Sequence, residues 1–88
     1  MTEEEYRQNL RARDYDDPQI EEAGPGPLKD MHTHDQSVMW LVLSGELTMI
    51  LEGGSTTYRP GDWYENVAGT LHTERIGPDG VSVLMARK

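Results

Sequence analysis

The amino-acid sequence predicts an all-β domain, a small antiparallel barrel or sandwich preceded by a short helix or arm. Three observations predict it. From Leu28 onward the chain falls into short strand-like segments rich in apolar and β-branched residues. Turn chemistry separates them closely, at Ser44-Gly45, Gly53-Gly54, Pro60-Gly61-Asp62 and Gly77-Pro78-Asp79-Gly80. Past the breakers Asp17-Pro18 and Gly24-Pro25-Gly26-Pro27, no stretch carries helical periodicity.

Taken in order, residues 2–13, TEEEYRQNLRAR, form the expected helix. Thr2 is the N-cap, Glu5 completes a capping box, and Glu3, Glu4 and Glu5 sit at the positive end of the helix dipole. Tyr6 and Leu10, at i and i+4, make only a thin apolar stripe, so a helix this short has to dock on something or fray. The prolines and glycines after it divide the chain into an acidic N-terminal helix or arm, 1–25, and a barrel, 26–88. Eighty-eight residues suffice for one domain with a modest core.

Strands are expected at 28–34, 38–43, 46–52, 55–59, 71–76 and 81–86. The run VMWLVL, 38–43, does not alternate, so both of its faces are covered. Side-chain parity groups Val38, Trp40 and Val42 on one face and Met39, Leu41 and Leu43 on the other, with Leu47, Met49 and Leu51 sharing a face of the next segment. One thin helix leaves little to cover a second apolar face. A homodimer burying that face is therefore expected, with the N-terminal arm as the competing cover.

The composition excludes several classes of function. There is no cysteine, so disulfides, thiolate metal sites and cysteine nucleophiles are ruled out, and histidine and carboxylate are the strong ligands that remain. Sixteen acidic against eight basic residues give a formal charge of −8, and the basic residues form no cluster, so no nucleic-acid partner is expected. The acidic start MTEEEYRQNL has neither the basic nor the apolar region of a secretory signal, and 38–43 is too short to span a bilayer. No membrane partner and a cytoplasmic location are the expectation.

The stretch DMHTHDQSVMW, 30–40, places two of the three histidines one residue apart. In an extended segment His32 and His34 point to the same side, where they can close on one ion. The third histidine, His72, lies on another expected strand just after a glycine-containing turn, so the three can meet on an inner face.

The spacing around them also matches a family pattern. Gly26, five residues, His32-x-His34, three residues, Val38, six residues, Gly45 fits G-x5-H-x-H-x3-E-x6-G everywhere except the Glu position. Gly61, five residues, Val67-Ala68-Gly69, two residues, His72, three residues, Ile76 fits G-x5-P-x-G-x2-H-x3-N with the Pro and Asn replaced. In these motifs the chain resembles a small single-domain cupin, over residues 26–86. The resemblance implies an antiparallel jelly-roll barrel with its pocket and a divalent metal inside the mouth.

In that family two histidines, the Glu and the later histidine hold the metal, so His32, His34 and His72 carry over as ligands and Val38 does not. Three neutral imidazoles suit zinc, iron, nickel or copper, with manganese a further candidate of the family, and leave positions open for water or substrate. The competing reading is a metal-free barrel whose histidines bind an anion or one another. Glu74, two residues after His72 on the same strand face, is a candidate ligand surrogate or proton carrier; the simpler reading is a surface or salt-bridged residue with Arg75 nearby.

Trp40 is expected to line the cavity with Val38 and Val42, or to be plain core. Tyr64, in GDWYEN with Trp63, has the parity to face inward and is the second candidate for proton transfer, although packing explains it as well. Asp35 and Gln36 belong to a turn. The resemblance implies two classes of function: a metal-dependent enzyme of dioxygenase, isomerase or lyase type on a small polar substrate, or a non-catalytic metal- or ligand-binding sensory module. A three-histidine site is similar to that of some iron cupin dioxygenases. The segment 61–84 is loosely similar to zinc-holding cupin domains of anti-sigma regulators.

Overall fold

The structure, a computed structural model, describes residues 1–27 and 30–88. Helix α1 spans Glu3–Ala12, and after it come strands β1 (Gln19–Ala23), β2 (Gly26–Pro27), β3 (Val38–Leu51), β4 (Gly54–Tyr58), β5 (Trp63–Asn66) and β6 (His72–Arg87). All pairings are antiparallel in one sheet ordered β1-β6-β3-β4, with β2 added to β6 and β5 to β3. This is the mostly antiparallel jelly-roll architecture, with one short N-terminal helix, that the sequence predicts.

The strand bounds differ from expectation in an instructive way. Segments 38–43 and 46–52 are one strand, and so are 71–76 and 81–86. Ser44-Gly45 and 77–80 are kinks inside a continuous β3–β6 ladder and do not reverse the chain. Leu43 is left over between the pairs Val42–Val83 and Ser44–Ser82, and 77–80 stand opposite Glu46 alone. A bulge of this kind uses the same glycine chemistry as a turn. Gly45 and Gly80 have φ of +75° and +77°, and a Cβ on Gly45 would fall 1.9 Å from the Gly80 carbonyl oxygen. The bulge at Leu43 also switches parity, so Val38, Trp40 and Val42 lie on the same inner side as Leu47, Met49 and Leu51.

Two further departures concern the chain's first third. The sequence does not anticipate β1, which pairs with β6 from Gln19–Met85 to Ala23–Val81. Its composition, QIEEA, carries almost no apolar pattern, and pairing to a buried neighbour makes it a strand. Of the expected strand 28–34, residues 28 and 29 lie outside the described residues. Within the rest, His32 alone pairs, in an isolated bridge to His72.

The core has two layers. Trp40, Val42, Leu47, Met49, Ile76, Val81 and Val83 fill the inside. On the outer face Met39, Leu41, Leu84 and Ala86 pack against Tyr6, Leu10 and Tyr15. Of the two covers proposed for that face, the N-terminal segment is the one observed. The helix begins with the expected capping box between Thr2 and Glu5. It is pinned by Tyr6, fully buried, whose hydroxyl donates to the Met39 carbonyl at 2.6 Å. Among the described residues no helix is long and apolar enough to cross a membrane.

Candidate metal centre

The segment carrying His32 and His34 is held on both sides, which fixes two short side chains to the mouth of the barrel. His32 exchanges backbone hydrogen bonds of 2.8 and 2.9 Å with His72. The His34 carbonyl accepts from Gly69 N at 3.0 Å, and Ser37 exchanges two 3.0 Å bonds with Lys88. His72 opens β6 on its inner side and is 1% exposed.

Three imidazoles therefore converge. Ring centroids lie 4.8 Å apart for His32 and His34, 4.6 Å for His32 and His72, and 5.1 Å for His34 and His72. One nitrogen from each falls within 4.8 Å of the others. A tetrahedral ion with bonds of ~2.0–2.1 Å asks for nitrogens roughly 3.3 Å apart, a closure of about 1.5 Å at most.

The protonation pattern fits a metal. Nδ1 of His32 lies 2.9 Å from the Asp30 carbonyl and Nδ1 of His72 lies 2.8 Å from the Thr70 carbonyl. A carbonyl can only accept, so each Nδ1 carries the hydrogen, and in the neutral ring Nε2 is left with a free lone pair. Backbone carbonyls commonly orient metal-binding histidines in this way. The three-imidazole donor set suits a borderline ion, and its residues fit the divalent metal that the resemblance implies.

Around this group is a cavity of about 440 Å³, lined on its inner walls by Val38, Trp40, Met49 and Met85 and at its polar end by Glu21, Asp35, Gln36, Glu74 and Arg87. Glu74 places Oε1 3.7 Å from His72 Nε2, the ring nitrogen not committed to the Thr70 carbonyl. Val38 occupies the family's Glu position and puts an apolar wall beside the histidines. Trp40, 2% exposed, serves the core and the cavity at once, so both readings of it describe the same ring. Asp35 and Gln36 sit in a bend and also border the cavity.

Two nominated residues are not brought to the histidines. Val42 is 1% exposed within the inner core and is not among the residues lining the cavity. Tyr64 joins Trp40 and Tyr58 in an aromatic cluster, with centroids 5.5 and 5.3 Å away, and lines a separate cavity with Met49 and Tyr58. Burial raises its phenol pKa above the usual value.

Other residues of the site are not foreseen from the sequence. Asn66, 4% exposed, lies with Nδ2 3.4 Å from His72 Nδ1, and its buried Oδ1 has no hydrogen-bond partner among the described residues. Glu21 and Arg87 form a 3.1 Å ion pair at the cavity's edge. Parity could have found Arg87, since His72, Glu74, Ile76, Val81, Val83, Met85 and Arg87 face inward once 77–80 are read as a bulge.

Comparison with known proteins identifies the family and agrees with the fold. A family profile described as the cupin domain matches residues 19–85. A cupin-2 domain containing protein from Shewanella frigidimarina superposes with a TM-score of 0.66 at 15% identity, covering 90% of this chain and 89% of that one. A structure described as that of DMSP lyases superposes with a TM-score of 0.67 at 21% identity, but 78% of this chain spans only 36% of that one. For an oxalate decarboxylase variant from Bacillus subtilis the values are 0.63 and 19%, with 78% of this chain on 20% of that one. At these identities the likeness is one of fold. No curated protein matches the chain.

Proposed function

The chain belongs to the cupin family, and from that premise we propose that it holds a divalent metal through His32, His34 and His72 and acts as a metal-dependent enzyme on a small polar molecule. The observation that carries this reading is the convergence of three ring nitrogens within 4.8 Å. Hydrogen bonds from two of the rings to carbonyls support it further. When bound, the ion supplies Lewis acidity to an oxygen of the ligand.

The chain's own residues do the rest. His32 and His72 keep Nε2 aimed inward because their Nδ1 protons are committed to Asp30 and Thr70. Val38, Trp40, Met49 and Met85 exclude water from the inner wall. Glu74 is the group placed to take or give a proton, since its carboxylate lies beside His72 Nε2 and on the cavity. Tyr64 is the weaker candidate for that role, because it borders the other cavity.

A second reading, a non-catalytic binding or sensory module, is favoured by one observation. Val38 puts an aliphatic side chain where an anionic group would otherwise stand. The test of metal binding is elemental analysis of protein purified without a histidine tag or added metal, in wild type and His32→Ala. Close to one ion per chain is expected in the wild type and a large loss in the variant; equal, sub-stoichiometric contents would overturn the metal site. Glu74→Gln then separates the two functional readings. In an enzyme it keeps the metal and slows turnover by about 10²–10⁴-fold, and the metal found directs the substrate screen, beginning with oxygen consumption for iron.

A further inference from the structure

The cavity's charge pattern says what kind of molecule completes it. Arg87 is the only Lys or Arg among the described residues that line it, and it reaches the cavity because it ends the inward-facing series of β6. Its guanidinium is positioned by Nη2, which donates to Glu21 Oε1 at 3.1 Å and contacts Met85 Sδ at 3.2 Å. Among the described residues Nε and Nη1 carry no hydrogen bond, so one edge of a planar, forked donor is left for a ligand.

Arg87 pairs in register with Val38, the position at which the motif has Glu. A carboxylate there would have faced both the ion position and the guanidinium; valine faces them with nothing. Arg87 keeps Glu21 at one nitrogen and Glu74 lies 3.7 Å from His72 Nε2, but position 38, which faces Arg87 across the ladder, offers no carboxylate to the guanidinium's remaining edge.

We propose that the cavity takes a small carboxylate, anchored by Arg87, whose oxygen supplies the ion position with the negative charge that Val38 does not. This rests on the metal reading above. It also predicts coupling. With neutral imidazoles, the carboxylates of Glu21, Asp35 and Glu74 outnumber the single guanidinium by two, a formal −2 that repels an anion. A divalent cation cancels that charge, so the carboxylate binds after the metal and not before it.

The test uses the full chain loaded with cobalt(II), whose visible bands report a change of ligand. Cobalt stoichiometry is measured first, then succinate is titrated by calorimetry and absorption, with succinamide as the uncharged control. Saturable succinate binding that shifts the cobalt bands is expected, with no such shift from succinamide and no succinate binding to metal-free protein. Arg87→Met should weaken succinate binding by roughly ten- to a hundredfold at unchanged cobalt stoichiometry, with Arg87→Lys falling between because it keeps the charge and loses the fork. Arg87 is half-exposed, so the variants spare the core. Equal binding of the two probes, full succinate affinity in Arg87→Met, or the same succinate affinity without metal would overturn the proposal while the metal reading stands. A chain that takes up no cobalt through its histidines fails the metal reading, and this proposal with it.

Discussion

At the scale of single residues, the site is organised less by which side chains are present than by what their far atoms are bonded to. His32 and His72 each commit Nδ1 to a carbonyl two residues earlier in the chain, Asp30 and Thr70. A local loop thereby sets the tautomer, and the barrel only has to bring the two loops together. Proximity in sequence makes His32 and His34 legible as a pair, because alternation alone places them on one side. Asn66 is not legible, since nothing in its local pattern says that its amide will lie against His72. Nδ2 and the hydrogen-bearing Nδ1 are both donors, so Asn66 supports His72 with its amide turned to present Oδ1, the atom otherwise left without a partner; Asn66→Ala is then expected to weaken metal affinity by about 10–100-fold, and a competition titration with a zinc chelator showing no change would exclude any support for His72.

At the scale of elements, the kinks decide the architecture. Gly45 holds a left-handed backbone and lies against the Gly80 carbonyl, so Gly45→Ala meets both backbone strain and a clash with main chain. A loss of about 2–6 kcal/mol is expected in chemical denaturation. Gly53→Ala, where an added Cβ meets nothing within 4 Å, should change stability by less than about 0.5 kcal/mol. If the two substitutions cost the same, the kink is not specified by Gly45. Helix α1 is a second such element. Its capping box was readable in the sequence, but its stability comes from Tyr6 and Leu10 packed on β3 and β6. Tyr6→Phe is expected to cost about 0.5–1.5 kcal/mol for the hydrogen bond alone, and Tyr6→Ala about 3–5 kcal/mol for the buried ring; near-neutral Tyr6→Ala would show that the helix is not docked in solution.

At the scale of the whole molecule, the proposed ion and the buried phenols are expected to link stability to ligand and to pH. An ion bound at a hundred times its Kd adds about 2.7 kcal/mol, which for a domain of this size raises Tm by roughly 10–20 °C. A chelator should therefore lower the Tm of the wild type by about that amount and leave His72→Ala unchanged, as read by calorimetry. The pH dependence comes from the N-terminal cover. Burial raises the phenols of Tyr6 and Tyr15 above their usual value of 10.0, and the hydrogen bond to Glu65 adds to the shift at Tyr15. The unfolded chain gives up these protons first as pH rises. Their contribution is thus intact below about pH 10 and declines above it until the folded phenols ionise. Denaturation midpoints measured from pH 8 to 11 should fall less steeply in the double variant Tyr6→Phe, Tyr15→Phe than in the wild type.

The sequence by itself determined the features that a one-dimensional period sets: two histidines on one side of an extended segment, apolar parity in 38–43 and 46–52, a capped helix, and a third histidine at the head of a strand. Tertiary structure alone decided whether a glycine pair reverses the chain or bends it, that the apolar-poor QIEEA becomes an edge strand, and that Arg87 and Glu21 meet at the cavity. The reason is physical. Alternation and capping are properties of neighbouring residues, whereas a bulge, an edge strand and an ion pair between β1 and β6 exist only when a distant segment supplies the other half of each contact.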